Sequence, residues 1–395
     1  MKHRIHASWA AVAVATLTLA AAMAHADPAP VVADEVLDLS DRAEAARAAH
    51  EVPAIAVAWV RDGQVVGAGV AGVRKNGDET LVTIDDQWHL GSCTKAMTAT
   101  LAGILVERGV ISWDTTIAEA LPELAEEMKP AYRDATLKQL LSHRAGLPSD
   151  RAPTPAQLAV WNTMRFSDGD LAKRRMVGVR AGLVQEPVGE PGAQHAYSNL
   201  GYTIAAAMLE HATKKSYEEL MQEEIFGPLG MDSAGWGAPG TPGRIDQPVG
   251  HSKAIGGVTP VSPGSPVSDN PDAIAPAGTA HMSITDWARF IAAHARAGRD
   301  GLLASPETYQ TLHTVMGDDY ALGWAVTQRP WGNGDVLVHS GSNGLWLSMV
   351  WVGPGRQCGY LAVCNIADQN AAAACDQVIS SLILDPPQAP EADQD

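Results

Sequence analysis

The chain has 395 residues, enough for a sizeable core in one or two domains. Apolar residues make up 46% of it, which is a globular composition and excludes a largely disordered chain. The formal net charge of −17 disfavours nucleic acid and anionic membrane surfaces as partners, although it says little about a small substrate.

The first 26 residues have the pattern of a secretory signal peptide. Lys2 and Arg4 form a positive start, and the apolar run WAAVAVATLTLAAAM follows. AHA, residues 24–26, fits a cleavage site, so we expect cleavage at about Ala26 and a secreted, periplasmic protein. The apolar run is shorter than the roughly 20 residues that a membrane-spanning helix needs, and no later segment predicts a span.

The first predicted elements are a helix at 35–50 and a hairpin at 54–73, where two β-rich runs flank an Asp-Gly turn. Residues 91–110 predict a second helix that ends at Gly109. Its core-facing stripe comprises Met97, Leu101, Ile104 and Leu105. Helical patterns then dominate from about 115 to 235.

Residues 236–280 are rich in Gly, Pro and Ser and predict a long loop of the functional or disordered kind. SITD, residues 283–286, has the pattern of a helix N-terminus. Short runs with strand character follow it, and a last helix is expected at about 369–384.

Because strands occur at both ends of the chain with helices between them, the sequence predicts an α+β fold. We expect a central antiparallel sheet flanked by helices, built from residues 27–114 and 270–385. A mainly helical domain, residues 115–269, would be inserted, and residues 386–395 would form a disordered acidic tail. A site would lie in the cleft between the two parts.

The start of the second helix carries Ser92 and Lys95 in an S-x-x-K pattern. One interpretation makes Ser92 a helix N-cap and leaves Lys95 in solvent. The other makes Ser92 a nucleophile and Lys95 its proton acceptor, since a residue three positions on lies along the same side of a helix. The rest of the chain must decide between them.

A second polar cluster, Tyr197-Ser198-Asn199, follows a Pro-Gly turn. It is either a loop with a capping residue or a second proton relay, with the Tyr197 phenol beside Lys95 and the Asn199 amide on a substrate carbonyl.

A third cluster, His339-Ser340-Gly341-Ser342, ends an apolar run. It is either a solvated strand end or a strand edge that lines the cleft, with Gly341 allowing close approach of a ligand.

The order S-x-x-K, Y-S-N and H-S-G resembles the serine β-lactamase and penicillin-binding-protein superfamily, on the branch of class C β-lactamases, D-Ala-D-Ala carboxypeptidases and related esterases. The stretches LLSHRAGLP, IFGPLGM, PAGTAHMSITDWARF and YALGW also resemble that family. The resemblance covers about residues 35–385, nearly all of the chain after the predicted signal peptide.

The resemblance implies that Ser92 is acylated, that Lys95 and Tyr197 relay protons, and that Asn199 positions the substrate. The backbone N–H groups of Ser92 and Ser342 would form the oxyanion hole. Three further residues would line the wall of the substrate site: His339, Ser340 and Gly341. The fold and these roles together imply a serine hydrolase that cleaves an amide or ester of a small molecule or peptide.

The third motif departs from the Lys-Thr-Gly of many β-lactamases. A histidine with an ordinary pKa of about 6.5 is mostly neutral at pH 7, so it offers no fixed cation for a β-lactam carboxylate. This argues against efficient β-lactamase activity and favours a D-amino-acid peptide or small ester as substrate. A carboxylesterase with little β-lactamase activity and a non-catalytic binding protein remain as alternatives.

The sequence shows none of the patterns that mark other classes of catalytic site. The isolated His143, His211, His281 and His294 are expected to be structural, and no H-E-x-x-H or G-x-S-x-G pattern is present. We therefore expect no metal, no cofactor and a monomer. A disulfide from Cys375 to Cys358 or Cys364 is one option, and buried free thiols are the other.

Overall fold

The computed structural model describes residues 32–298 and 302–387. The predicted signal peptide and most of the predicted acidic tail therefore lie outside the described residues. The strands are β1 Val32–Asp38, β2 Ala54–Arg61, β3 Gln64–Gly72, β4 Gln87–His89, β5 Gly235–Trp236, β6 Gly250–Ala254, β7 Gly257–Val261, β8 Ala280–Ser283, β9 Ala325–Gln328, β10 Asp335–Ser342, β11 Leu347–Gly353 and β12 Cys358–Cys364.

The helices that accompany these strands concentrate in the middle of the chain. They are α1 Ser40–His50, α2 Thr94–Glu107, α3 Ile117–Ala120, α4 Pro130–Arg133, α5 Leu137–Leu141, α6 Pro155–Phe166, α7 Leu171–Leu183, α8 Asn199–Thr213, α9 Tyr217–Met221, α10 Ala275–Gly278, α11 Ile284–Arg296, α12 Pro306–His313 and α13 Gln369–Leu384. In the described part of the chain, none of the helices combines the length and hydrophobicity that crossing a membrane requires.

The main sheet has seven strands in the order β1-β3-β2-β12-β11-β10-β9. Its centre joins the two ends of the chain, because β12 pairs antiparallel with β2. The expected α+β class with a sheet flanked by helices is therefore confirmed. The sheet is mixed, however, because β1 pairs parallel with β3. The partition into two domains stays a prediction.

Local expectations near the start of the chain are met in part. The hairpin is confirmed as β2 and β3, and its turn has positive φ at Asp62 and Gly63, which suits a two-residue hairpin loop. The helix predicted at 35–50 is wrong over its first residues, because 35–38 belong to β1 and α1 begins only at Ser40. Edge pairing with β3 overrides the local preference there.

Helix α2 lies at the centre of the core. Its residues from Thr94 to Leu105 are all buried, so the helix has an apolar environment all round and not a single core-facing stripe. Gly109 follows the helix with φ +68°, as expected for a C-terminal stop. A buried central helix can hold Lys95 away from water at its first turn.

The stretch 236–280 is more regular than a continuous loop. It contains the hairpin β6–β7 and the short helix α10, so the expectation of one long loop is wrong over those residues. Strand β6 is tied to the body of the protein, because His251 N–H donates to Asn365 O over 2.9 Å. Tertiary pairing of this kind leaves no local sequence pattern.

The four cysteines are buried and free, as the second of the two options expected. Cys364 Sγ lies 3.7 Å from Cys375 Sγ, so β12 and α13 bring these two thiols together.

Candidate active site

Ser92 lies in a single turn of 3-10 helix, Gly91–Cys93, between β4 and α2. Gly91 has φ +50°, and a Cβ atom there would lie 2.3 Å from Ser342 N, so the turn requires glycine. Thr94 Oγ1 donates to Gly91 O over 2.7 Å and closes the turn. Helix α2 begins after Ser92 and has no side-chain cap, which excludes the N-cap interpretation of Ser92.

The buried side chain of His89 contacts this turn and stabilises it. Gly91 N–H donates to His89 Nδ1 over 3.1 Å, which leaves the proton of a neutral ring on Nε2. Nε2 then donates to Asp269 Oδ2 over 2.9 Å. Asn343 Nδ2 donates to the other oxygen of Asp269 over 3.0 Å, so the turn is coupled to the loop after β10.

Lys95 is fully buried, which excludes its solvent-facing interpretation. Its Nζ atom lies 3.1 Å from Ser92 Oγ, 2.7 Å from Asn199 Oδ1 and 2.6 Å from Ala277 O. The last two atoms can only accept, so two N–H groups of Lys95 are committed. The remaining position on Nζ faces Ser92 Oγ, and there it either donates a proton or receives one.

The Tyr197 hydroxyl lies 2.7 Å from Ser92 Oγ, so the serine oxygen has two proton-handling neighbours. The ring of Tyr197 is 4.8 Å from Lys95 Nζ, within the range of a cation–π contact. Ser92, Lys95, Tyr197 and Asn199, 107 positions apart at most in the sequence, are therefore joined in one hydrogen-bonded cluster.

Asp150 holds the segment that carries Tyr197 and Asn199. Asn199 N–H donates to Asp150 Oδ2, so the carboxylate caps the start of α8 from another loop. Asp150 N–H donates to Tyr197 O over 2.8 Å and completes a two-way connection. Burial raises the pKa of the Asp150 carboxyl, although the backbone N–H group of Asn199 opposes this effect.

Strand β10 passes directly beside the Ser92 turn. A Cβ atom on Gly341 would lie 2.0 Å from Leu90 O and 2.7 Å from Ser92 N, so only glycine permits this approach. The backbone N–H groups of Ser92 and Ser342 therefore lie on adjoining segments. This arrangement suits a pair of donors for the oxygen of a reacting carbonyl.

The side chains of His339 and Ser340 point into different environments. Ser340 is exposed, whereas His339 is only 7% exposed. His339 Nδ1 donates to Ser340 O over 2.8 Å, and Tyr320 O–H lies 3.3 Å from Nε2 as its donor. Burial lowers the pKa of His339 to about 3, with Lys95 adding to this effect, so the ring is neutral at pH 7.

Cys93, next to Ser92, is no rival nucleophile. Its thiol is buried and accepts a hydrogen bond from Ser348 Oγ over 3.2 Å. Burial raises the pKa of the Cys93 thiol to about 12, so the reactive thiolate is scarce at neutral pH. Ser92 is partly exposed and is the accessible nucleophile of the turn.

Besides Asp150 and the His89–Asp269 pair, sequence reasoning missed two residues that contact the Tyr197 ring. His143, expected to be structural and isolated, accepts Ser198 N–H at Nδ1 over 3.1 Å and packs 4.4 Å from the Tyr197 ring. Arg151 lies over the same ring, with 5.4 Å between Cζ and the ring centroid. The only signal for His143 was its place in LLSHRAGLP, and Arg151 had no signal, since its role depends on tertiary proximity.

Comparisons with known proteins agree with this fold. The sequence model of the Beta-lactamase family matches residues 39–381. Penicillin-binding protein 4 of Amycolatopsis lactamdurans is 28% identical over 80% of this chain and 81% of its own length. The chain spans only 46% and 55% of two other curated relatives that it matches.

Two solved structures share the fold. EstCE1, a hydrolase with promiscuous acyltransferase activity, has a TM-score of 0.72 and 17% identity, with 87% of this chain and 97% of that chain covered. A D-stereospecific amidohydrolase from Streptomyces sp. has a TM-score of 0.65 and 22% identity, with 88% and 98% covered. The match over most of the chain carries the conclusion: this protein belongs to the Beta-lactamase family of serine hydrolases.

Proposed function

We propose that the protein cleaves an amide or ester through a covalent acyl-enzyme on Ser92. The observation that carries this proposal is the convergence of Lys95 Nζ and the Tyr197 hydroxyl on Ser92 Oγ, at 3.1 and 2.7 Å. A nucleophile within hydrogen-bond reach of a base, which other groups orient in turn, is the arrangement that covalent catalysis requires.

Acylation begins when Ser92 Oγ attacks the substrate carbonyl carbon and its proton moves to Lys95 Nζ. Asn199 Oδ1 and Ala277 O hold the other two N–H groups, so the lone pair of Lys95 points at Ser92. The carbonyl oxygen gains negative charge, which the N–H groups of Ser92 and Ser342 stabilise. The tetrahedral intermediate then expels an amine or alcohol, which takes up the proton through Tyr197 or Lys95.

Deacylation reverses these roles. One proton passes from a water molecule to the pair formed by Tyr197 and Lys95 as the water oxygen attacks the acyl carbon of Ser92. The bond from that carbon to Ser92 Oγ breaks, and the proton returns to Ser92 Oγ as the carboxylic acid leaves. Asn199 contributes by orienting both Lys95 and the substrate.

We propose a D-amino-acid peptide or small ester as the acyl donor. The neutral, buried His339 supports this choice, because β10 then has no fixed cation at the position where many β-lactamases have the lysine of Lys-Thr-Gly. The names of similar proteins include a penicillin-binding protein, a D-stereospecific amidohydrolase and a hydrolase with promiscuous acyltransferase activity, which supports a serine hydrolase in general. His339, Ser340 and Gly341 would line the substrate wall.

The place of action follows from the sequence pattern. We propose a secreted, periplasmic monomer whose signal peptide is removed at about Ala26.

Substrate profiling tests the proposal directly. The purified protein should hydrolyse D-alanyl peptides or p-nitrophenyl esters with a higher kcat/KM than a chromogenic cephalosporin. A cephalosporin kcat/KM of about 10⁶ M⁻¹s⁻¹, within the ordinary range for enzymes, would contradict the preference. Esters alone as substrates would favour the carboxylesterase alternative. Binding of substrates without turnover would favour the non-catalytic alternative.

A further inference from the structure

The substrate-facing region lacks the cation that a lysine would provide at position 339. Both ring nitrogens of His339 are engaged, Nδ1 with Ser340 O and Nε2 with Tyr320 O–H. The Lys95 amino group is buried and surrounded by three acceptors. Neither side chain is therefore free to pair with an anionic group on a substrate.

Arg151 brings a positive charge next to Tyr197, one of the residues of the cluster. Its guanidinium carbon lies 5.4 Å from the ring centroid of Tyr197, whose hydroxyl is 2.7 Å from Ser92 Oγ. The side chain is exposed to solvent. The backbone beneath it is held to the cluster, because Asp150 N–H donates to Tyr197 O over 2.8 Å.

The guanidinium of Arg151 is not neutralised by a partner. Among the residues that the structure describes, no carboxylate lies within 4.0 Å of it. The adjacent Asp150 carboxylate instead accepts Asn199 N–H, and Asp318 is paired with Arg144 over 2.7 Å. In a chain with a formal charge of −17, this is a local positive position beside the nucleophile.

We propose that Arg151 is a specificity-determining residue that binds a carboxylate of the acyl substrate beside Ser92. A guanidinium matches the two oxygens of a carboxylate with parallel N–H groups, and the contact with the Tyr197 ring holds it near the cluster. The proposal rests on the proposed function and narrows its substrate class. Acyl donors that carry a carboxylate near the scissile bond, such as peptides with a free C-terminal D-alanine, are preferred over neutral analogues.

Matched substrates test this assignment. A D-alanyl-D-alanine peptide with a free C-terminus and its C-terminal amide differ in one charge, as do the acetyl-D-alanyl esters of 3-hydroxybenzoic acid and 3-hydroxybenzamide, and each charge lies on the leaving group. Arg151→Gln should lower kcat/KM for the charged member of each pair about 5- to 10-fold, since an exposed charge-assisted hydrogen bond is worth little more. The neutral members should change less than about 2-fold, and Arg151→Lys should restore part of the loss.

Arg329 provides the matched control. It is exposed and its Cζ atom lies 5.2 Å from the Trp351 ring centroid, but it follows β9 and donates to Thr327 Oγ1 and Gln328 O. Arg329→Gln should leave both members of each pair unchanged.

Two results would overturn the assignment of Arg151. No change in Arg151→Gln would leave the residue without a role in recognition. An equal loss for charged and neutral substrates would show that Arg151 acts on Tyr197 and not on the substrate.

Binding to the Ser92→Ala variant separates this proposal from the proposed function. Calorimetry should show tighter binding of the free peptide than of its amide, and a loss of that preference on adding Arg151→Gln. That result supports the role of Arg151 even where the wild type turns over no substrate, and equal binding of the two peptides contradicts it. Absence of turnover by the wild type on all four compounds would instead contradict the proposed function.

Discussion

At the scale of single residues, the surroundings of Lys95 leave its amino group one role, which is to exchange a proton with Ser92. Its burial and its two fixed acceptors leave one position on Nζ for the Ser92 proton. Lys95→Met, which keeps the length of the side chain, should lower kcat at least ~10²-fold, as loss of a general base does. Steady-state kinetics with the best ester or peptide measures the effect.

The control for Lys95 is Lys173, an exposed lysine that lies outside the hydrogen-bonded cluster. Lys173 lies three residues after Asp170, with its side chain 73% exposed, so Lys173→Met should keep full activity. Unchanged turnover in a folded Lys95→Met variant would remove Lys95 from the proton relay.

Tyr197 supplies the second contact with Ser92, and only its hydroxyl is expected to matter. Tyr197→Phe keeps the ring packed on His143 but removes the 2.7 Å hydrogen bond, so kcat should fall about 10²-fold or more. Tyr132→Phe is the matched control, because the buried hydroxyl of Tyr132 has no hydrogen-bond partner among the described residues. Equal activities of the two variants would contradict the role of Tyr197.

At the scale of elements, the contact between β10 and the Ser92 turn determines the oxyanion position. A Cβ atom at Gly341 would overlap Leu90 O, so Gly341→Ala should push strand and turn apart. We expect kcat/KM to fall about 10²-fold or more, since loss of one oxyanion donor has that effect. Kinetics and a thermal unfolding curve together distinguish lost activity from lost fold.

Gly189 is the matched glycine for this comparison. A Cβ atom there would meet Gln194 Nε2 at 3.4 Å, an ordinary contact, so Gly189→Ala should behave as the wild type. If Gly341→Ala retained wild-type kcat/KM, the close approach of β10 would not be needed for catalysis.

Elements with strong local signals could be predicted from the sequence, and elements that depend on distant partners could not. The Asp-Gly turn predicted β2 and β3, and Ser283 caps α11 as SITD indicated. Strand β1 and the β6–β7 hairpin were missed, because each depends on pairing that no local period reveals.

The same distinction applies to the site. Ser92, Lys95, Tyr197 and Asn199 stand in patterns that mark them in the sequence, and the fold brings these four together. Asp150 and Arg151 act only through their tertiary position over the Tyr197 segment. No spacing in the chain connects them with Ser92.

At the scale of the whole molecule, buried histidines make stability depend on pH. Burial lowers the pKa of seven of them, to about 3 for His313 and His339 and about 4 for His281. The others are His143, His195, His251 and His294. Below about pH 6.5 the unfolded chain binds protons that the folded chain does not, so stability falls as pH falls towards the folded-state pKa values.

The expected slope is large enough to measure. Each of the six histidines that are mostly buried contributes up to about 1.4 kcal/mol per pH unit inside its window, and the half-exposed His195 contributes less. The free energy of unfolding should therefore fall by several kcal/mol between pH 7 and 5. The raised pKa values of Asp150 and Glu210 have the opposite sign and reduce this slope. Urea unfolding at the two pH values measures the difference.

A histidine variant can assign part of that slope. His313→Gln should make the fall smaller, because it removes a ring whose pKa burial lowers in the folded chain. A stability that stays constant from pH 7 to 5 would contradict the account of the buried histidines.

The central claim, that Ser92 forms an acyl-enzyme, is tested most directly by intact-mass spectrometry. The protein is treated with a fluorophosphonate or a penicillin, and its mass is compared with that of the Ser92→Ala variant. We predict one adduct per chain in the wild type and none in Ser92→Ala. An adduct that persists in Ser92→Ala would contradict the assignment of the nucleophile.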